Sequence, residues 1–452
     1  MTQVPLPTGF QGLDDQPRLR ENLINLFFTG SGLIRTPSLN LFASGRGVCR
    51  GAGLFQEEAY FASGTRLIKV EADGNVIDIG EIGGGTVVRM AATANELVLV
   101  STGGDGYVWD GTTLTQIVTN FVTSVDVAIL NQRAFFVPAD GGPVFFSEVN
   151  DLGNIMAGSF IDAQLLPDKN IGIINYRNNL YVLGAQSGEV FRPTTNPDIP
   201  IQRDESASVY DAGYVAGRVL FADTFAFLGR LRNGSYGFHT MGQGRAPRVS
   251  NPAVEEILNE QYTLEELEQC VGMRYKWKGY EVLSFSLSRH TFCYSSGNWF
   301  FQESFINGGN PKASWRGLHL LNAYGVYLIG DKFGQNIGTM VDGKQDYGED
   351  IEREIVTFVR SPRDDYFSIA TLTWDCLVGT GSDETDTIGI SVSQDGIVYG
   401  PQINIGLGDL GNYRKQIRWV IPGGLGTYEN FMGLRTRVTA PVDFAADALQ
   451  VD

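Results

Sequence analysis

Seven times this chain repeats one phrase: an apolar strand of four to six residues, a glycine-rich turn, and a second strand. The phrase begins at Ala59 (AYFASGTRLIKV), Leu97 (LVLVSTGGDGYVW), Ala134 (AFFVPADGGPVFF) and Leu180 (LYVLGAQSGEVF). It returns at Phe225 (FAFLGRLRNGSYGF), Tyr280 (YEVLSFSLSRHTFCY) and Gly325 (GVYLIGDKFGQNIGTM). No other feature constrains the fold as much, because one such hairpin cannot bury its apolar face alone and must stack on the next. Most starts lie about 37 to 46 residues apart, with one longer interval of about 55. Units of about 40–50 residues are the size of four-stranded propeller blades. The expectation is a mainly β chain with a β-propeller of six or seven blades over residues 51–345. The same hairpins in two stacked sandwiches are the competing arrangement.

The long interval contains the one extended helical stretch, NPAVEEILNEQYTLEELEQC, from Asn251 to Cys270. Asn251 can cap a first helix with Pro252 at its first position, where a missing N–H costs nothing. Thr263 and Glu266 have the spacing of a capping box for a second. Val254, Ile257 and Leu258 give the first helix an apolar face, and Leu264 and Leu267 the second. The pair therefore reads as an insertion (251–270) between two blades, serving assembly more than folding. Its six glutamates, Glu255, Glu256, Glu260, Glu265, Glu266 and Glu268, come with no basic residue. They are the candidate partner-facing residues; the plainer reading is that the apolar faces dock on the propeller and the glutamates are simply solvated.

After Asp346 the texture changes to period-two alternation, as in FSIATLTWDCLV, TIGISVSQDGIVYG and FMGLRTRVTA, separated by turns such as GTGSDETD and PGGLGTYEN. Residues 346–452 read as a separate antiparallel sandwich or barrel. The first 50 residues show little periodicity and read as an extended arm and connector. Glycine fits this architecture: 56 of 452 residues is about 12%, against an average near 7%, scattered as turn punctuation.

The formal charge of −17 disfavours nucleic acid and anionic membrane as tight partners. It is unevenly spread: residues 1–50 hold five arginines against three acids, whereas 341–388 hold twelve acids against four bases. Cys49, Cys270, Cys293 and Cys376 have no metal-ligand spacing and read as reduced, buried thiols of a protein made in a cytosol. The N-terminus lacks the basic and apolar regions of a signal peptide, and no apolar run approaches the roughly 18 residues of a membrane span.

Catalytic chemistry is hard to find. His239, His290 and His319 are not paired at metal spacing, and His290 reads as structural. There is no GxSxG elbow. GGDGYVWDG around Asp105 and GRGVCRGAG around Cys49 lack the context of a phosphate loop and read as turns. SQDGIVYG, from Ser393, is similar to the Asp box of sialidase propellers but one residue short; a hairpin with Asp395-Gly396 in a type I′ turn is the simpler expectation. No catalytic residue, metal or cofactor is assigned.

The order of these pieces resembles a known family. GLIRTPSLNLF (Gly32 to Phe42) followed by GRGVCRGAG is similar to the N-terminal connector of the packaged-DNA stabilisation, or tail hub (nozzle), proteins of short-tailed bacteriophages (podoviruses). The family's Tyr-Thr-x-x-Glu-Leu helical core is matched by Tyr262, Thr263, Glu266 and Leu267, and its strand ending in Arg-His by Arg289 and His290. Its C-terminal hairpin is matched by Ser393, Asp395, Gly396, Tyr399 and Gly400. The resemblance implies a non-enzymatic virion subunit that forms a sixfold ring below portal and adaptor. Such a ring extends the DNA channel, helps retain the genome, and docks tail fibres or tailspikes and a needle or plug. The alternative is a carbohydrate-active or carbohydrate-binding phage propeller, a depolymerase or lectin.

Overall fold

A computed structural model describes residues 2–451 apart from 5, 14–15, 164–165, 197–198, 210, 222, 306–312, 361–365, 379–385, 408–414 and 421–426. Two turns expected in the C-terminal part, GTGSDETD and PGGLGTYEN, fall largely outside the described residues, as does the side chain of Cys376.

Seven antiparallel sheets, blades 1 to 7, occupy residues 49–81, 88–116, 124–161, 170–203, 212–240, 271–304 and 317–341. The first strand of each blade packs against the first strand of the next. Gly317–Ala323 of blade 7 meets Cys49–Phe55 of blade 1, which closes the ring. Each sequence repeat is the second and third strand of one blade, so the number of repeats and of blades agree at seven. GRGVCRGAG is more than the expected turn: from Cys49 it forms the inner strand of blade 1. Glycine is needed there because inner strands converge. A Cβ on Gly51 would lie 2.3 Å from the Val88 carbonyl oxygen, and one on Gly272 would lie 2.3 Å from that of Gly217.

Two blades lack a fourth strand of their own. Blade 7 borrows Ser38–Ser44, paired antiparallel to Asn336–Val341. Blade 5 has three strands and a single outer bridge, His239 to Arg248. There the chain builds helix α1 (Pro252–Gln261) and the short α2 (Leu264–Leu267).

The C-terminal part is two packed sheets around Trp374, Trp419, Phe444, Met432 and Leu434. The first 50 residues, an arm and connector by sequence, are strand for much of their length and are woven into both bodies. Gly32–Arg35 pairs with Val442–Val451 in one sandwich sheet. Gln16–Ile24 lies between Asn298–Ser304 of blade 6 and Arg353–Arg360 of the other, giving a sheet that runs from propeller into sandwich. These strands escape sequence reading because their partners lie some 300 residues or more away.

Candidate partner-facing surface

The helical pair is built from its caps outward. The Asn251 side chain accepts from the Val254 N–H at 2.9 Å and donates to the Phe10 carbonyl at 2.7 Å, which ties α1 to the N-terminal segment. The Thr263–Glu266 capping box forms as its spacing predicts. Ala253, Val254, Ile257, Leu258, Tyr262 and Leu267 sink into one core with Phe238, Phe285 and Trp299 of blades 5 and 6. Val254, Leu258 and Leu267 are fully buried. The insertion is thus part of the propeller core, which corrects the expectation that it serves assembly more than folding. The helix covers part of the apolar flank of this three-stranded blade, together with Phe10 of the N-terminal segment.

The two central motifs of the resemblance lock together. The Tyr262 hydroxyl and His290 Nδ1 are 2.7 Å apart, Arg289 donates to Glu266 at 2.8 Å, and the Arg289 guanidinium lies 4.9 Å from the Tyr262 ring centre. Burial, then the Arg289 charge, push His290 down to about 4, so it is neutral at physiological pH. Hydrogen bonding to the Thr263 N–H, then Arg289, hold Glu266 below the usual carboxylate range.

The six candidate glutamates divide. Glu255 turns inward, accepting from Ser250 Oγ at 2.7 Å and pairing with Arg248 at 3.1 Å. Glu256 pairs with Arg20 and Glu266 with Arg289. Among the described residues, Glu260, Glu265 and Glu268 are exposed and have no ion-pair partner. Burial, then the nearby Glu265, raise Glu268. Three of the six therefore hold the fold, and three form the open acidic face.

The C-terminal motif is structural as well, though its turn differs from expectation. Asp395 is not at positive φ, so the turn is not type I′. Its carboxylate instead accepts from the Ile397 and Val398 N–H groups, each at 2.8 Å, and from Ser393 Oγ at 2.9 Å. Gly396, at φ +72°, lies so close to Leu19 that a Cβ would stand 2.6 Å from its Cδ2. The loop thereby clamps the N-terminal strand that joins the two bodies.

Behind the surface is a dense polar joint. Asn25, 2% exposed and at φ +57°, donates to the carbonyls of Glu303 (3.0 Å) and Glu352 (2.8 Å) and accepts from the Glu303 N–H (3.0 Å). Arg35 bridges Asp342 at the end of blade 7 to Asp443 of the sandwich, and Lys278 pairs with both aspartates. Asp346 accepts from the Leu39 N–H and Ser304 Oγ, and burial raises it to about 6. Sequence reasoning missed this joint because its contacts join segments hundreds of residues apart, such as Asn25 with Glu303 and Glu352.

Among the described residues no three His, Cys, Asp or Glu side chains converge as a metal site. His239 Nδ1 lies 3.0 Å from the Ala246 carbonyl oxygen, and Cys49 and Cys270 are buried thiols pushed up to about 12.

Fold and surface together define a seven-bladed propeller joined to a β-sandwich, with an open acidic face beside blade 5. The comparisons give that class its family. The model described as bacteriophage P22 Gp10, beta-propeller matches residues 7–344, and the model for bacteriophage P22 Gp10, beta-sandwich matches 352–452. The chain belongs to this P22 Gp10 family of phage tail proteins. Tail hub protein gp10 of Salmonella phage P22 is 24% identical over 432 residues, 90% of this chain and 88% of the relative. Among solved structures, BamB from Moraxella catarrhalis overlaps 75% of this chain and 96% of its own, at 11% identity and a TM-score of 0.37. The extracellular domain of a hybrid two-component system from B. thetaiotaomicron overlaps 74% of this chain and 43% of its own, at 11% identity and a TM-score of 0.46.

Proposed function

We propose that this chain is the tail hub, or nozzle, subunit of a short-tailed phage. Copies assemble into a ring, six by analogy with the family, below the portal and adaptor. The ring extends the DNA channel, helps retain the packaged genome, and docks tail fibres or spikes outside and a needle or plug at its end. The observation that carries this reading is the ordered match of both family models across nearly the whole chain.

Charge supplies the mechanism. With a net charge of −17, a wall built from these subunits repels the phosphate backbone, so DNA slides through without being gripped. The propeller's own axis is not that channel: the cavity there is about 310 Å³, bordered on one side by Glu268 and Gln269 just after α2. The DNA path therefore runs between subunits. Negative-stain electron microscopy with the portal and adaptor of the same phage tests the reading. A ring seated on the adaptor is expected; isolated wheels that ignore it would overturn the hub assignment.

A further inference from the structure

The axial cavity holds charges that the assembly reading does not use. Inner strands of blades 2 to 5 line it, and Arg89 and Lys169 are among the lining residues. Among the described residues, neither cation has an ion-pair partner, although the chain as a whole carries seventeen excess negative charges. The carboxylates nearby do not neutralise them. Asp126 is committed to Arg218 and also accepts from the Ile173 N–H at 2.9 Å, while Glu268 stands exposed and unpaired at the border. Tyr214, 4% exposed, lines the same cavity with its hydroxyl beside the Arg218 guanidinium.

The uncompensated charge of Arg89 is felt around it. It adds to burial in pushing His319 down to about 3, and it opposes the rise of the buried Cys270 thiol. Two cations on the wall of one partly open cavity can be bridged by a single anion. Guanidinium and ammonium groups are the usual protein partners of phosphate and carboxylate oxygens. A volume near 310 Å³ is at the small end of ligand sites, enough for an oxyanion carrying a compact organic group.

We infer that the propeller axis is a binding site for a small oxyanion ligand, a phosphate or carboxylate group held between Arg89 and Lys169. The site would occupy the centre of the wheel, with Glu268 of the acidic face at its border.

The test uses the full-length protein in Tris chloride at constant ionic strength, titrated with inorganic phosphate and separately with citrate. Thermal unfolding and isothermal calorimetry are the readouts. Saturable stabilisation by at least one anion is expected. Arg89→Gln and Lys169→Gln should each weaken it about tenfold, the loss of one charge-assisted hydrogen bond. Arg245→Gln, an exposed arginine away from the cavity, should respond like wild type. Lys169 is exposed, so its variant remains informative should Arg89→Gln fold poorly. A response to phosphate alone identifies a phosphorylated ligand, and one to citrate alone a carboxylate. No saturable response in the wild type, or equal responses in wild type and both cavity variants, would overturn the inference.

Discussion

Blades 5 and 7 face the same physical problem and solve it with different material. Each has three strands of its own and would otherwise leave an unpaired edge and an apolar flank. Blade 7 is finished by Ser38–Ser44, taken from the start of the chain. Blade 5 is finished by α1, taken from the next few residues and facing the core with Val254, Ile257 and Leu258. The borrowed strand closes the ring and brings the polar joint with it, so its consequences are internal. The helical pair covers apolar surface on one side and leaves Glu260 of α1 and Glu265 of α2 free on the other. One completion makes the wheel and sandwich a single body; the other gives that body a face.

The largest perturbation of this contrast is deletion of 251–270 with the ends rejoined. Because α1 and α2 cover Phe238, Phe285 and Trp299, the cooperative thermal melt should vanish. A retained melt would return the helices to the status of an appendage.

At the joint, Asn25→Ala removes three hydrogen bonds to the Glu303 and Glu352 backbone, for a cost of about 3 kcal/mol. Calorimetry should then resolve separate propeller and sandwich transitions; a single transition would mean that the coupling lies elsewhere. On the helix side, Leu258→Ala should cost about 3 kcal/mol by denaturant unfolding without splitting the transition.

The acid dependence of the joint can be isolated with Asp346→Asn. Its folded carboxyl is raised from 3.8 to about 6, so the folded state favours the protonated form. That contribution is full below about pH 4 and is lost as pH rises through 6. Between pH 4 and 7 the wild type should lose about 2 kcal/mol relative to the variant. Parallel stability curves over that range would contradict the assignment. The smallest effect is expected at Glu260→Gln and Glu265→Gln, which should change stability by less than about 0.5 kcal/mol.

What was legible in the sequence follows the same division. The seven hairpins and the helix caps are local patterns, set by residues within a few positions of one another, and both appear where the sequence places them. Completion of blade 7 was not legible, because a period-two strand such as SLNLFAS carries no sign of which edge it joins. The six glutamates look alike in sequence. Only folding brings Arg20, Arg248 and Arg289 to Glu256, Glu255 and Glu266, and so separates structural charges from free ones. The lock of Tyr262 and Glu266 with Arg289 and His290 was visible as two motifs, but not as one contact.

The most direct measurement is ring assembly by a double charge reversal, Glu260→Lys with Glu265→Lys, mixed with the cognate adaptor and portal and followed by sedimentation velocity. A subunit that melts like the wild type yet fails to join the adaptor-bound ring is the predicted result. Normal incorporation of the reversed subunit would contradict the expectation that this face meets a partner.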